Sequence, residues 1–217
     1  MIDIVIDDAG VIENIEQRLG ALSSQAPEIL RLSINSAARK VRKSIVKQVG
    51  ERYTIQKSVL KDRRKGAPTV STARKGNLGA VIRSKGPVND LVDFLVQPGS
   101  DGAKAKVLRS GSLKTLERGG VKAFITRFAS GHIAVVQRQP GKTYGAAGAS
   151  DRIARYGTPH NGAWPDMTRI VKLMGPAVPS MMANPEIQDQ ARELLYDVLN
   201  QEITKRIDKA IERGAGT

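Results

Sequence analysis

Thirteen Lys or Arg side chains stand between Ala37 and Lys75 against two acids, Glu51 and Asp62, a net +11 out of +14 for the 217-residue chain. The chemistry open to such a block is anion binding, in which many weak, salt-screened contacts hold a polyanion and no bond is made or broken. The candidates for a DNA- or partner-facing surface are Arg39, Lys40, Arg42, Lys43, Lys47, Lys57, Lys61, Arg63, Arg64 and Lys65. Phosphate backbones and acidic protein rings are the two natural partners, and a solvated helix face is the plainer alternative. Tyr53 alone within the block could stack on a base, so any nucleic-acid contact is expected to be with phosphates and blind to sequence.

Other patterns that could carry chemistry are incomplete. Gly141-Lys142-Thr143 looks like the end of a phosphate-binding loop, but the Gly needed five positions earlier is Val136, so an ordinary strand-end turn is expected. There are two His, His132 and His160, and no Cys, and neither His has a second His or a Glu at ligand spacing. Asp7-Asp8 reads as a strand end and a helix cap rather than a catalytic pair. No Gly-x-Ser-x-Gly elbow occurs. The expectation is no enzyme, no metal and no cofactor.

The basic block needs a helix to present it. Pro27 suits the first turn of a long helix in which Leu30, Ile34, Ala38, Val41, Ile45 and Val49 recur at three- and four-residue steps, with the cations mainly outside that stripe. Before it, Ile2, Ile4 and Ile6 alternate with Asp3, Val5 and Asp7 as a short strand. Asp8 is placed to cap a helix through Ile12, Ile15, Leu19 and Leu22. After it, Thr54 is expected to cap a shorter helix from Ile55 to about Arg64, ending at Lys65-Gly66-Ala67-Pro68.

The middle reads as strands and loops. Strands are expected at Ala80–Ile82 and Leu91–Val96, and a hairpin at 121–128 and 132–138 turning at Gly131. Another strand is expected at Ile170–Met174. Residues 99–120, rich in Gly and carrying five Lys or Arg, and residues 139–166, with Tyr144, Tyr156 and Trp164, are expected to be flexible loops. Asn184, Pro185 and Glu186 open a final helix whose apolar face runs Ile187, Ala191, Leu194, Leu195, Val198, Leu199, Ile203, Ile207 and Ile211, with Gly214 ending it.

These elements predict one α+β domain over residues 1–217: a small, mostly antiparallel sheet, N-terminal helices, a basic helix and a long C-terminal amphipathic helix. The absence of Cys excludes a disulfide scaffold. The short acidic N-terminus lacks a signal-peptide pattern, and no apolar run is long enough to span a bilayer, so a soluble chain without a membrane role is expected. Residues 1–36 carry a net −4 and residues 184–217 a net −2, which with the basic middle suits head-to-tail contact between copies or pairing within one chain.

Three ordered segments give the chain a resemblance. They are Ile34-Asn35-Ser36-Ala37-Ala38-Arg39 through Val59-Leu60-Lys61-Asp62-Arg63; Lys122-Ala123-Phe124-Ile125 with Ser130-Gly131-His132, Val135-Val136-Gln137-Arg138 and Gly141-Lys142; and Val171-Lys172-Leu173 with Pro176-Ala177-Val178-Pro179 before the last helix. Together they resemble the minor tail protein Z family of lambda-like phages and prophages, within the broader class of tail-completion and neck proteins. The resemblance implies a structural role in tail completion, head–tail joining and DNA passage, in the virion tail or neck and in the host cytoplasm during assembly. It implies a homo-oligomeric ring, expected to be a hexamer. Its implied neighbours are the tail terminator, tail tube and head–tail connector, with genomic DNA as a further partner through its phosphates. It brings no catalytic residues. The alternative is a soluble, sequence-independent nucleic-acid-binding protein, and a nuclease is the remaining rival.

Overall fold

The computed structural model describes residues 2–5, 11–143 and 168–215. Helices and small antiparallel sheets make it an α+β protein, as the sequence predicts. In chain order the first elements are β1 (Ile2–Val5), α1 (Val11–Leu19), α2 (Ala26–Arg52), β2 (Thr69–Ser71), β3 (Val81–Ser84) and β4 (Asn89–Asp90). The middle holds β5 (Leu95–Gln97), β6 (Lys104–Lys106), β7 (Lys114–Thr115), β8 (Glu117–Arg118), β9 (Val121–Arg127) and β10 (Ile133–Thr143). The last are β11 (Thr168–Lys172), β12 (Met174–Gly175), α3 (Val178–Met182) and α4 (Pro185–Ala215). The chain divides into two compact units, one of residues 1–89, 107–110 and 176–217, the other of 90–106 and 111–175. Each is discontinuous in sequence.

In the first unit α2 and α4 lie antiparallel, since Lys40 meets Glu202 and Arg52 meets Glu186. Every residue of the predicted stripe on α2, from Leu30 to Val49, is buried. It faces Ile187, Ala191, Leu195, Val198, Leu199, Ile203 and Ile207 of α4, also buried, at roughly 1.5–3 kcal/mol for each large side chain withdrawn from water. Ile211 stays exposed, and α4 runs through Gly214 to Ala215 rather than stopping at the glycine. Asn184 accepts the Glu186 amide at 3.2 Å, so the expected cap is present. The small sheet of this unit has the order β1-β3-β2, antiparallel throughout. The proposed Asp8 cap lies outside the described residues, and the α1 helix gives way to a 3-10 turn at Gly20–Gln25 that includes Leu22.

The expected helix from Ile55 to Arg64 does not form. The segment makes two short 3-10 turns, Val59–Lys61 and Arg63–Lys65, separated by Asp62 in extended geometry. Thr54 is no cap, because its hydroxyl donates to the Val107 carbonyl. Only Ile55, Val59 and Leu60 are apolar anchors here, too few to hold an amphipathic helix against its nucleation cost.

In the second unit the main sheet has the order β11-β10-β9-β8, with the predicted hairpin as its centre and Gly131 at φ 81°. Ala134 to Gln137 of β10 are buried in succession, as in a strand covered on both faces. Two expectations fail in this unit. Leu91–Val96 is not one strand: Leu91–Asp93 forms a 3-10 turn, and Leu91 and Phe94 are both buried at a three-residue step that suits that helix rather than a strand's two-residue step. Residues 99–120 are not a structureless loop, because β6 pairs with β5 and β7, and β8 pairs with β9. Of the second expected loop, residues 139–143 belong to β10 and residues 144–167 lie outside the described residues.

Candidate cationic interface

The first unit sorts the ten candidate cations into two groups. Three are held within the fold, and a fourth, Lys47, has only a weak surface pair. Lys40 donates to Glu202 at 2.6 Å, and that contact with the Lys40 ammonium holds the Glu202 carboxyl below its ordinary range; burial pushes it back up and the Ser36 hydroxyl adds to the lowering. Arg42 donates from Nε to the Pro68 carbonyl at 2.6 Å. Lys65 is half-buried and engaged. Lys47 contacts Glu51 one turn on at 3.5 Å, but both side chains are largely in water, where such a pair contributes little.

The other six, Arg39, Lys43, Lys57, Lys61, Arg63 and Arg64, are exposed and have no side-chain partner among the described residues. Arg39, Lys43 and Lys47 stand four residues apart on α2, so they form a ridge about 12 Å long at 1.5 Å per residue. A three-residue step from Lys47 reaches Gly50, where Leu60 packs: a Cβ on Gly50 would sit 3.7 Å from Leu60 Cδ1. From there the chain returns along α2 in the opposite direction. Pro68 lies at Arg42, and Ala73 lies at Asn35, whose carboxamide donates to the Ala73 carbonyl at 3.1 Å and accepts its amide at 2.7 Å. This returning strap carries Lys61, Arg63 and Arg64 beside the ridge. Asp62 does not neutralise them cleanly, since one of its oxygens accepts the Arg64 backbone amide at 2.9 Å.

The strap is fixed by close backbone packing. Gly66 has φ 100°, and a Cβ on Gly86 would come within 2.5 Å of the Lys65 carbonyl oxygen. Ser84 also donates to the Gly66 carbonyl at 2.6 Å. At the far end of α2, Arg109 donates its backbone amide to the Arg52 carbonyl and its Nε to the Gly50 carbonyl, both at 2.8 Å, supplying partners to helix-end carbonyls that have none within the helix.

Sequence reasoning did not separate the two groups. Lys40 lies at the border of the apolar stripe, on the flank that meets α4, and that position is the available signal for an internal pairing. Asn35, a carboxamide among buried apolar neighbours, is the residue it missed; a polar side chain inside such a stripe must find partners, and here it holds the strap.

The remaining motifs carry no assembled site. Gly141-Lys142-Thr143 forms the end of β10, so its glycine lies within a strand and not in a loop. His132 Nε2 lies 3.2 Å from Asp90, whose other oxygen takes Lys172 Nζ at 2.7 Å, and its ring stacks on Phe128. His160 lies outside the described residues. No group of three or more His, Asp or Glu side chains suited to a metal ion occurs among the described residues, and no helix among them is long and apolar enough to cross a membrane. Apart from Arg109, the basic residues of 104–122 belong to the second unit, where Lys122 pairs with Asp101 at 2.8 Å. No protein-family model matches the chain, and neither a curated protein nor a solved structure matches it.

Proposed function

We propose that the chain is a structural component of a tailed-phage virion, a minor tail or tail-completion protein of the neck, working as a ring of copies that supports head–tail joining and DNA passage. The observation that carries this reading is where the three resembling segments fall. The first is α2 with its strap, the second is the β9–β10 hairpin, and the third runs from β11 through α3 towards α4. They are the principal elements of both units, in chain order. A surplus of open cations on the first unit fits a protein whose neighbours include a polyanion.

The role needs no catalytic group, cofactor or metal. It calls for contact with further copies of the chain, with six matching a tail's symmetry, and with the tail terminator, tail tube and head–tail connector. The site of action is the virion tail or neck, with assembly in the host cytoplasm. The test is mass measurement of the purified chain at high concentration, combined with its detection in isolated particles. A ring, or incorporation into particles in multiple copies, is expected. A chain that stays monomeric and is absent from particles overturns the proposal and leaves a free nucleic-acid-binding protein as the better reading.

A further inference from the structure

We infer that the ridge of Arg39, Lys43 and Lys47, with Lys61, Arg63 and Arg64 on the strap beside it, is a binding surface for the phosphate backbone of double-stranded DNA. The inference deepens the proposed virion role by naming what this surface touches, but its test uses the isolated protein and is independent of any ring or particle.

Spacing is the first argument. Four-residue steps place the ridge cations about 6 Å apart along the helix axis. Each strand of a duplex presents a phosphate about every 3.4 Å of its axis, so a 12 Å ridge faces roughly three or four of them. Strap cations widen the footprint to six charges. Lys40 and Arg42, which belong to the same run of sequence, are excluded because Glu202 and the Pro68 carbonyl already hold them.

What surrounds the cations argues against the other polyanion, an acidic protein. Protein interfaces centre on buried apolar or aromatic anchors. Within residues 33–87, which hold the whole strip, no large apolar side chain is exposed; Leu32, seven residues before Arg39 on α2, and Leu108, bridged to Tyr53, are exposed near its ends. Tyr53 is half-buried and bridged to Leu108, so it offers no stacking platform. Cations without anchors or base-reading groups fit phosphates and give binding that ignores sequence.

The experiment measures affinity of the full chain for two unrelated 24-base-pair duplexes between 50 and 200 mM salt. With six phosphates engaged, affinity falls about a thousandfold over that range, equally for both sequences. Arg39→Gln, Lys43→Gln and Lys47→Gln made together are expected to weaken binding at least tenfold and to reduce the salt slope by about 3. Lys205→Gln, Lys209→Gln and Arg213→Gln on α4 remove the same charge elsewhere and are expected to change affinity less than threefold. Arg63→Gln with Arg64→Gln provides a second reading should the ridge variant fail to fold, as judged by circular dichroism. The inference is overturned if the unaltered chain does not bind duplex at 50 mM salt, or if the α4 variant loses as much as the ridge variant. It is equally overturned if polyglutamate binding responds to the ridge changes while duplex binding does not.

Discussion

Lys40 Nζ lies 2.6 Å from Glu202 Oε1, joining the middle of α2 to the facing part of α4. Arg206 reaches the other Glu202 oxygen at 3.3 Å. A cation from the most basic stretch of the sequence therefore acts as an internal fastener, and the carboxylate it meets is nearly buried. The Lys40 hydrogen bond holds the Glu202 carboxyl below its ordinary value in the folded chain.

That lowering fixes a direction for pH dependence. A depressed carboxyl contributes stability that is full above the unfolded value, near 4.5, and is lost as pH falls through the lower folded value. Glu202→Gln should melt below the unaltered chain at pH 7, with a smaller gap at pH 3. Thermal unfolding followed by circular dichroism at both pH values checks it, and a gap that persists unchanged in acid contradicts it.

Asn35→Ala removes both hydrogen bonds to Ala73 and strands the Ala73 amide and carbonyl, which Asn35 otherwise satisfies in a buried setting. A loss of about 2–4 kcal/mol is expected. Urea unfolding measures the total, while amide exchange across 60–73 shows whether the strap loosens first.

Gly86→Ala would drive a methyl group against the Lys65 carbonyl carbon and oxygen, 2.6 and 2.5 Å away, and against Gly66 Cα at 2.7 Å. These are main-chain atoms that cannot swing aside. The expected cost is about 1–3 kcal/mol. Gly119→Ala is a comparison in which the new methyl meets nothing, so only its φ of 60° opposes it. A Gly86→Ala protein as stable as the parent contradicts the close packing.

Arg109→Ala deletes the Nε contact to the Gly50 carbonyl and keeps the backbone bond to Arg52. About 1 kcal/mol is expected from denaturant midpoints. Arg109→Lys should not restore it fully, because a single ammonium lacks the planar donor that sets this geometry.

Elements with long, regular apolar periods were legible. The α2 stripe, the α4 face and the 121–138 hairpin declare themselves through large aliphatic side chains at fixed steps. Elements carried by small residues were not. Ala103-Lys104-Ala105-Lys106 alternates buried and half-exposed positions as a strand should, yet alanine gives too weak a hydrophobic contrast to distinguish it from a basic loop. The Leu91–Phe94 turn was obscured by a continuous apolar run, which fixes no period. For the cationic surface, composition identified the stretch but not its division. That Lys40 is paired and Lys43 is not depends on a partner 162 residues away from Lys40, and no local pattern contains it.

The four residues Val107–Ser110 belong to the first unit although both their neighbours in sequence belong to the second. The chain thus changes unit four times, and one brief visit supplies the Val107 and Arg109 contacts that close the end of α2. Neither unit can be exchanged between related chains as one contiguous cassette. A graft of residues 90–175 would carry off part of the other unit's framework, so recombination that respects both must cut at both sides of a four-residue island.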